Sequence, residues 1–550
     1  MRGSNGSNGT AGNSGSAWAR WRARGDASPG AGWLPRLGTP ASLRLLVALT
    51  AVLLAAYLAV LLAAVSAADD GLRVVGHDAG PRVVSANALH GALTGMDADL
   101  ANTVLVGDER GLGFDREQAA AHYAADRKAL GEAIEETGAG LDTIDARRTL
   151  GDLIDKVGVY DNLAGQVTLL DRQSDARALT DVSPALPLLR QATDLMRGTL
   201  LPEADRLSAA NARAVEATYA DTYGRARGLG RWSLPLGLVP VVVLVGGQLF
   251  LARRTRRVFS PWLLVATALG AALVWTGTGT ALSAAEHLRV AKKDAFDSVL
   301  ALTRANALAQ EANGDESRFL VDRARAADAE NAFAAKSREL AAFDGVGPTG
   351  YAEALRVAVT GFLGFAAGVE VPFGGEFGRE FRNVTFTGER AAAEEVLRWY
   401  ARYQQYDRQM REMVARGDVR GAVDFTTSYR ENASNWSFEH LIKALDAVTA
   451  INRAHMDAEA EAGLDELNGR GLLSGLLALS VSALVWLGVR PRLAEYRTGG
   501  AAGRRSLPRR PARPGPIAGA DVRSKPAAPH PASPKPAVPA VPAGVARARR

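Results

Sequence analysis

Long apolar runs alternate along the chain with longer stretches of helical periodicity. No charged residue falls between Trp232 and Ala252 or between Val258 and Ala285, and only Arg253-Arg254-Thr255-Arg256-Arg257 separates the two runs. About 20 apolar residues cross a hydrocarbon core, so each run predicts a membrane helix. Leu45 to Ala68 and Gly471 to Val489 are two further runs of this kind. Between the first and second runs, apolar residues recur at helical spacing in Leu89–Leu93–Met96–Leu100 and Leu150–Ile154–Val157. Gly138-Ala139-Gly140 and the Ser183-Pro184 to Pro187 stretch are the expected breaks. They leave a block of about four helices, the first continuing out of one span and the last running into Trp232. The block between the third and fourth runs has the same plan.

The expected fold class is therefore all-α, a polytopic membrane protein with four transmembrane helices and two helical-bundle domains. Residues 43–68, 232–252, 259–285 and 471–489 are the spans, and residues 69–231 and 286–470 are the two bundles. Residues 1–42, rich in Gly, Ser and Asn, and the basic, Pro-rich residues 490–550 read as disordered tails. The connection 253–258 is too short for a domain, and its Arg253, Arg254, Arg256 and Arg257 mark it as cytoplasmic by the positive-inside rule. Both bundles are then extracytoplasmic and both termini cytoplasmic, in a bacterial plasma membrane. A cleaved signal peptide ending near Val65-Ser66-Ala67 is the rival for the first run, but that run exceeds the usual apolar core of a leader.

Charge changes the picture in one respect. The net charge of +6 conceals a partition: residues 68–231 hold 26 acidic and 18 basic groups, and residues 284–470 hold 30 and 23. Acidic blocks with basic connecting pieces fit a polytopic membrane protein touching lipid, and not a nucleic-acid binder. Cysteine is absent, so neither disulfides nor thiolate sites are possible.

The two halves read as an internal duplication. Leu150 to Asp161 lies over Val396 to Asp407, and Asn211 to Ala217 over Asn452 to Ala458. The offset is smaller at the opening spans than at these matches, which places an insertion of about 25 residues within 344–390; long irregular segments in compact bundles tend to be functional. Its least helix-like part is 368–388. There Phe373, Phe377 and Phe381 fall four apart, followed by Asn383, Phe386, Glu389 and Arg390. As a short helix this is an apolar stripe that either caps the domain's own core or forms a docking surface or lid for a partner or ligand.

No catalytic constellation is present, whether phosphate-binding loop, zinc-protease motif, nucleophile elbow or kinase set, so the chain is not expected to be an enzyme. His122, His287, His440 and His455 lack ligand spacing, and neither a metal nor a cofactor is expected. The span interiors carry no ionisable residue, which argues against a pump or channel. They do carry small residues that allow close helix approach: Ala55, Ala59 and Ala63, Gly270, Gly277 and Gly279, and Gly471 with Gly475.

Two helical modules, each entering and leaving through a span over residues 45–489, resemble the four-helix sensor domains of bacterial chemoreceptors and sensor kinases. No kinase or methylation helix follows the last span, so output must pass to a separate protein. The four spans, two unequal outer domains and the stretch Gly378 to Arg390 (GREFRNVTFTGER) also resemble the GlnX-type four-span membrane proteins of actinobacteria. That resemblance implies action with a glutamine- or glutamate-binding lipoprotein outside and protein kinase G, a soluble Ser/Thr kinase, inside. The expected function is a membrane sensor or adaptor relaying an amino-acid or binding-protein signal to such a cytoplasmic partner, with homo-oligomerisation compatible. The alternative is an envelope-assembly scaffold without a ligand.

Overall fold

The computed structural model describes residues 39–109, 111–139, 144–174, 183–255, 260–363 and 371–502. Most of both tails, Arg256 and Arg257, and the 364–370 part of the inserted segment lie outside the described residues, as does the side chain of Arg254. Among the described residues every regular element is helical, in agreement with the expected fold class.

The first half comprises α1 (Thr39–Arg73), a π-helical segment Val74–Asp78, α2 (Ala79–Val106), α3 (Arg116–Ala139), α4 (Ile144–Gln173), α5 (Leu186–Leu195), a second π segment Met196–Leu200 and α6 (Leu201–Thr255). The second half comprises α7 (Pro261–Arg289), a π segment Val290–Phe296, α8 (Asp297–Val321), a 3₁₀ turn Arg323–Arg325, α9 (Ala326–Leu340) and α10 (Pro348–Phe362). It continues with α11 (Gly375–Asn383), α12 (Glu389–Ala415), α13 (Val419–Thr427), α14 (Ser434–Leu467) and α15 (Arg470–Ala502). Four helical stretches, Ala41–Val106, Leu186–Arg253, Pro261–Val321 and Ser434–Ala494, are long and apolar enough to cross a membrane. Each also reaches far into a bundle.

Local chemistry sets the ends. Pro261 and Pro348 occupy first helical positions, where a missing N–H costs nothing. Asp418 caps α13 by accepting from Gly421 N at 2.9 Å. Between α14 and α15, Gly469 takes a φ of +69°, which only glycine adopts without strain, and the helix is jointed there.

The spans pack around Tyr57, which is fully buried and donates its hydroxyl to Leu273 O at 3.2 Å. A Cβ on Gly277 would stand 2.7 Å from both Leu61 Cδ2 and Tyr57 Oη, and one on Gly237 would stand 2.7 Å from Val274 Cγ2. Close approach within the spans thus falls at Gly237 and Gly277, and also at Gly247 and Gly488, where a Cβ would stand 2.8 Å from Leu46 and 2.9 Å from Leu263. The other small residues singled out by sequence behave differently. Ala55, Ala59 and Ala63 face outward, Gly279 and Gly475 border open space, and the packing face of α1 is Leu54, Tyr57, Leu61 and Ala64. Trp275 and Leu472, at 82% and 74% exposed, lie on the outside, where a bilayer would cover them.

Each bundle has its own core. In the first, α4 buries Leu150, Leu153, Val157 and Tyr160, while Ile154 of the expected stripe is 43% exposed. The helix is right, and its inner face is rotated by one residue. Where the first bundle passes from α2 to α4 through the single helix α3, the second passes from α8 to α12 through α9, α10 and α11. A third cluster, including Leu72, Val83, Val215, Tyr219, Leu288, Phe296 and Met456, joins both halves where the helices leave the spans.

Candidate functional site

The two bundles meet along α2 and α8. From Ala92 to Gly107 every residue of the α2 stretch is buried, so any polar group there must find its partner within the protein. The partners come from the other half. Asn87 Nδ2 donates to Thr303 Oγ1 at 2.8 Å, and Ser317 Oγ donates to Asn102 Oδ1 at 2.7 Å. These pairs are 216 and 215 residues apart in sequence, and Tyr57 reaches Leu273 across the same separation of 216. Residues that contact their own counterparts lie on a pseudo-two-fold axis. The π segments agree, since Val74 and Val290 begin equivalent ones (290 − 74 = 216).

A ladder of ion pairs runs along this seam. His90 on α2 lies 3.0 Å from Glu311 on α8 and 2.9 Å from Asp205 on α6. Glu311 and the fully buried Asp315 both contact Lys336 of α9, at 3.4 and 2.6 Å. Asp315 also accepts from Arg318 at 2.9 Å and from Arg197 of the other bundle at 2.6 Å. Arg318 reaches back to Asp97 on α2 at 2.5 Å, and Asp97 accepts further bonds from Thr193 at 3.1 Å and Tyr160 at 3.3 Å. Arg190 holds Asp322 with two bonds of 2.6 Å, the planar bidentate geometry guanidinium favours.

Burial opposes charge on Asp315 and Glu311, yet Arg318 and Lys336 around the first and His90 around the second keep both carboxyls below their ordinary values. Removing Asp315 would leave Arg318 and Lys336 without the carboxylate between them, and breaking such a buried pair costs about 3–5 kcal/mol.

At the end of the ladder lies a cavity of about 250 Å³ between the bundles. Arg190, Asp194 and Arg197 line it from the first bundle, and Arg318, Asp322 and Arg325 from the second. Arg325 meets Asp194 across it at 3.2 Å. Guanidinium and carboxylate groups thus alternate around a space that both bundles must complete.

The residues proposed from sequence occupy a different place. Phe373, Phe377 and Phe381 are buried in the second bundle's core, with Phe377 edge-on to Tyr400 at 5.0 Å, so the stripe caps its own domain. Asn383 ties the inserted segment to the π segment of the second half, donating to Lys293 O at 2.8 Å. Phe386 stacks on His455 at 4.0 Å. Glu389 accepts the Thr385 and Phe386 N–H groups at 2.7 and 2.8 Å, and Arg390 pairs with Glu394 at 3.1 Å. Of the other histidines, His287 pairs with Glu459 at 2.6 Å, His440 packs between Trp399 and Trp436, and His122 lies against Phe114 and Tyr429. Among the described residues no three His, Asp or Glu side chains gather as metal ligands.

Sequence reasoning missed the ladder. A signal was present: Asp97 and Asp99 interrupt the apolar positions Leu93, Met96 and Leu100, which a solvated face does not require. The cation that answers Asp97, Arg318, lies 221 residues away, beyond the reach of any local pattern.

These features define a multi-pass helical membrane protein built on a pair of bundles. Residues 71–220, from the end of α1 through the first bundle into α6, match the family model described as an actinobacterial sensor domain. The match supports a sensor role for the chain. No curated protein and no solved structure matches the chain.

Proposed function

We propose that the two bundles lie outside the cell and receive a signal at their shared seam, and that the helices continuing into the spans relay it to a separate cytoplasmic protein. The observation that carries this reading is continuity: α1–α2, α6 and α7–α8 each run from a span into the bundle pair with no loop between. A shift at the seam is then mechanically connected to the membrane, as in the small helix displacements of switching proteins. The arginine-bearing hairpin supports the orientation, because short basic loops stay in the cytoplasm. The alternating guanidinium and carboxylate lining of the cavity suits a small zwitterion such as an amino acid, delivered free or by a solute-binding lipoprotein. A Ser/Thr kinase is the output partner this reading favours.

Any ligand must bind one arrangement of the seam better than another to shift it. The test is a panel of amino acids added to the detergent-purified chain, read by unfolding temperature, with cross-linked partners identified from intact cells. An amino acid that stabilises the wild type and not Arg197→Ala supports the reading. If the whole panel leaves the unfolding temperature unmoved and neither a binding protein nor a kinase is cross-linked, the relay idea fails.

A further inference from the structure

The cavity between the bundles is apolar at its floor and charged at its rim. Leu186 and Leu189 of α5 and Ala329 of α9 line it at 8%, 3% and 5% exposure, and Val321 at the end of α8 is half-buried. The charged groups at that depth are already answered within the protein: Asp322 by two bonds from Arg190, and Arg318 by Asp97 and Asp315. The rim is different. Asp194, Arg325 and Asp328 are exposed, and Arg325 reaches Asp194 through Nη1 alone. Asp328 has no basic partner among the described residues, and Arg197 uses only Nη2, on Asp315. A guanidinium carries five N–H donors, so Arg197 and Arg325 each keep several for a ligand.

We propose that this cavity selects an amino acid with an aliphatic side chain, of the leucine, isoleucine and valine class. The specificity rests on the reading that the seam receives an amino acid, and narrows it. The ligand's carboxylate would take the spare donors of Arg197 and Arg325, and its ammonium the carboxylates of Asp194 and Asp328. Its side chain would lie on the floor of Leu186, Leu189 and Val321. Size agrees, since the space of about 250 Å³ falls below the roughly 300–1,000 Å³ that holds drug-sized molecules. Polar side chains are disfavoured by the same floor. That of glutamate or lysine would bring an unpaired charge to it, which is costly where Asp322 and Arg318 already have their partners. A glutamine amide would exchange water for side-chain carbon. Asp194 and the two leucines belong to the first bundle, and Val321, Arg325 and Asp328 to the second. An occupied site would therefore draw α5 toward the junction of α8 and α9.

The test is calorimetric titration of the full-length chain in detergent with leucine, isoleucine, valine, alanine, glutamine, glutamate and lysine. The three aliphatic ligands should bind, with alanine, which leaves most of the floor bare, at least about tenfold weaker than leucine. Glutamine, glutamate and lysine should be weaker than leucine by at least the same factor. Leu189→Ala should shrink the preference for leucine over alanine, and if that variant fails to fold, the wild-type ranking decides by itself. Glutamine, glutamate or lysine binding as tightly as leucine overturns the aliphatic specificity while leaving the seam an amino-acid site. So does a preference for leucine that Leu189→Ala leaves unchanged. Binding of none of the seven overturns the specificity together with the amino-acid reading beneath it.

Discussion

His90 lies between two carboxylates from two different helices, Asp205 at 2.9 Å and Glu311 at 3.0 Å. Burial would depress its imidazole, but the hydrogen bonds and charges of Asp205 and Glu311 outweigh that and lift it to about 9 from an ordinary 6.5. A group whose folded value is raised stabilises fully below its unfolded value, and that contribution is lost as pH rises through the folded one. The window for His90 thus runs from 6.5 to about 9. Unfolding temperature should decline across it, and His90→Gln, which cannot titrate, should flatten the decline, as thermal unfolding of both proteins at stepped pH will show. Asp205 is largely exposed, so salt should weaken its share more than that of the half-buried Glu311.

At the scale of helices, backbone proximity decides what the spans tolerate. A Cβ on Gly277 meets Tyr57 and Leu61, whereas one on Gly279 meets nothing. Gly277→Val should therefore cost about 1–3 kcal/mol through overpacking, and Gly279→Val should be nearly silent. Thermal stability in detergent separates the two. Both glycines look alike in the sequence, which is why the spans were legible as elements while their packing faces were not. Composition says that a helix crosses a membrane, but Ala55, Ala59 and Ala63 form as good a small-residue stripe as the face that packs. The same limit applies at α4, where Leu153 and Ile154 are equally apolar neighbours and only the partner helices choose Leu153. In the inserted segment the spacing of Phe373, Phe377 and Phe381 gave a stripe without saying what it faced. The seam was least legible of all, since its cross-bundle partners are separated by more than a hundred residues.

For the whole molecule, the pairing of α2 with α8, of Tyr57 with the main chain of α7, and of Leu72 and Val215 with Leu288 and Met456 joins the halves from spans to bundles. Covalent connection through the hairpin should then be dispensable for assembly. Residues 1–257 and 258–550, expressed together as separate chains, should be recovered as one complex when only one is tagged. Independent elution in mild detergent would show that the seam and spans do not hold by themselves.

The near-constant separation of about 216 residues across the axis also bears on ancestry. Residues that now meet their counterparts, such as Asn87 and Thr303, would in a single-half protein have met their own copies. A two-span ancestor forming a symmetric homodimer satisfies that geometry, and because two spans return the chain to its starting side, end-to-end fusion needs no inversion in the membrane. A fusion of that kind would free each side of the dimer to differ, and the two halves do differ: only the second carries α10 and α11, an asymmetry that identical copies cannot have.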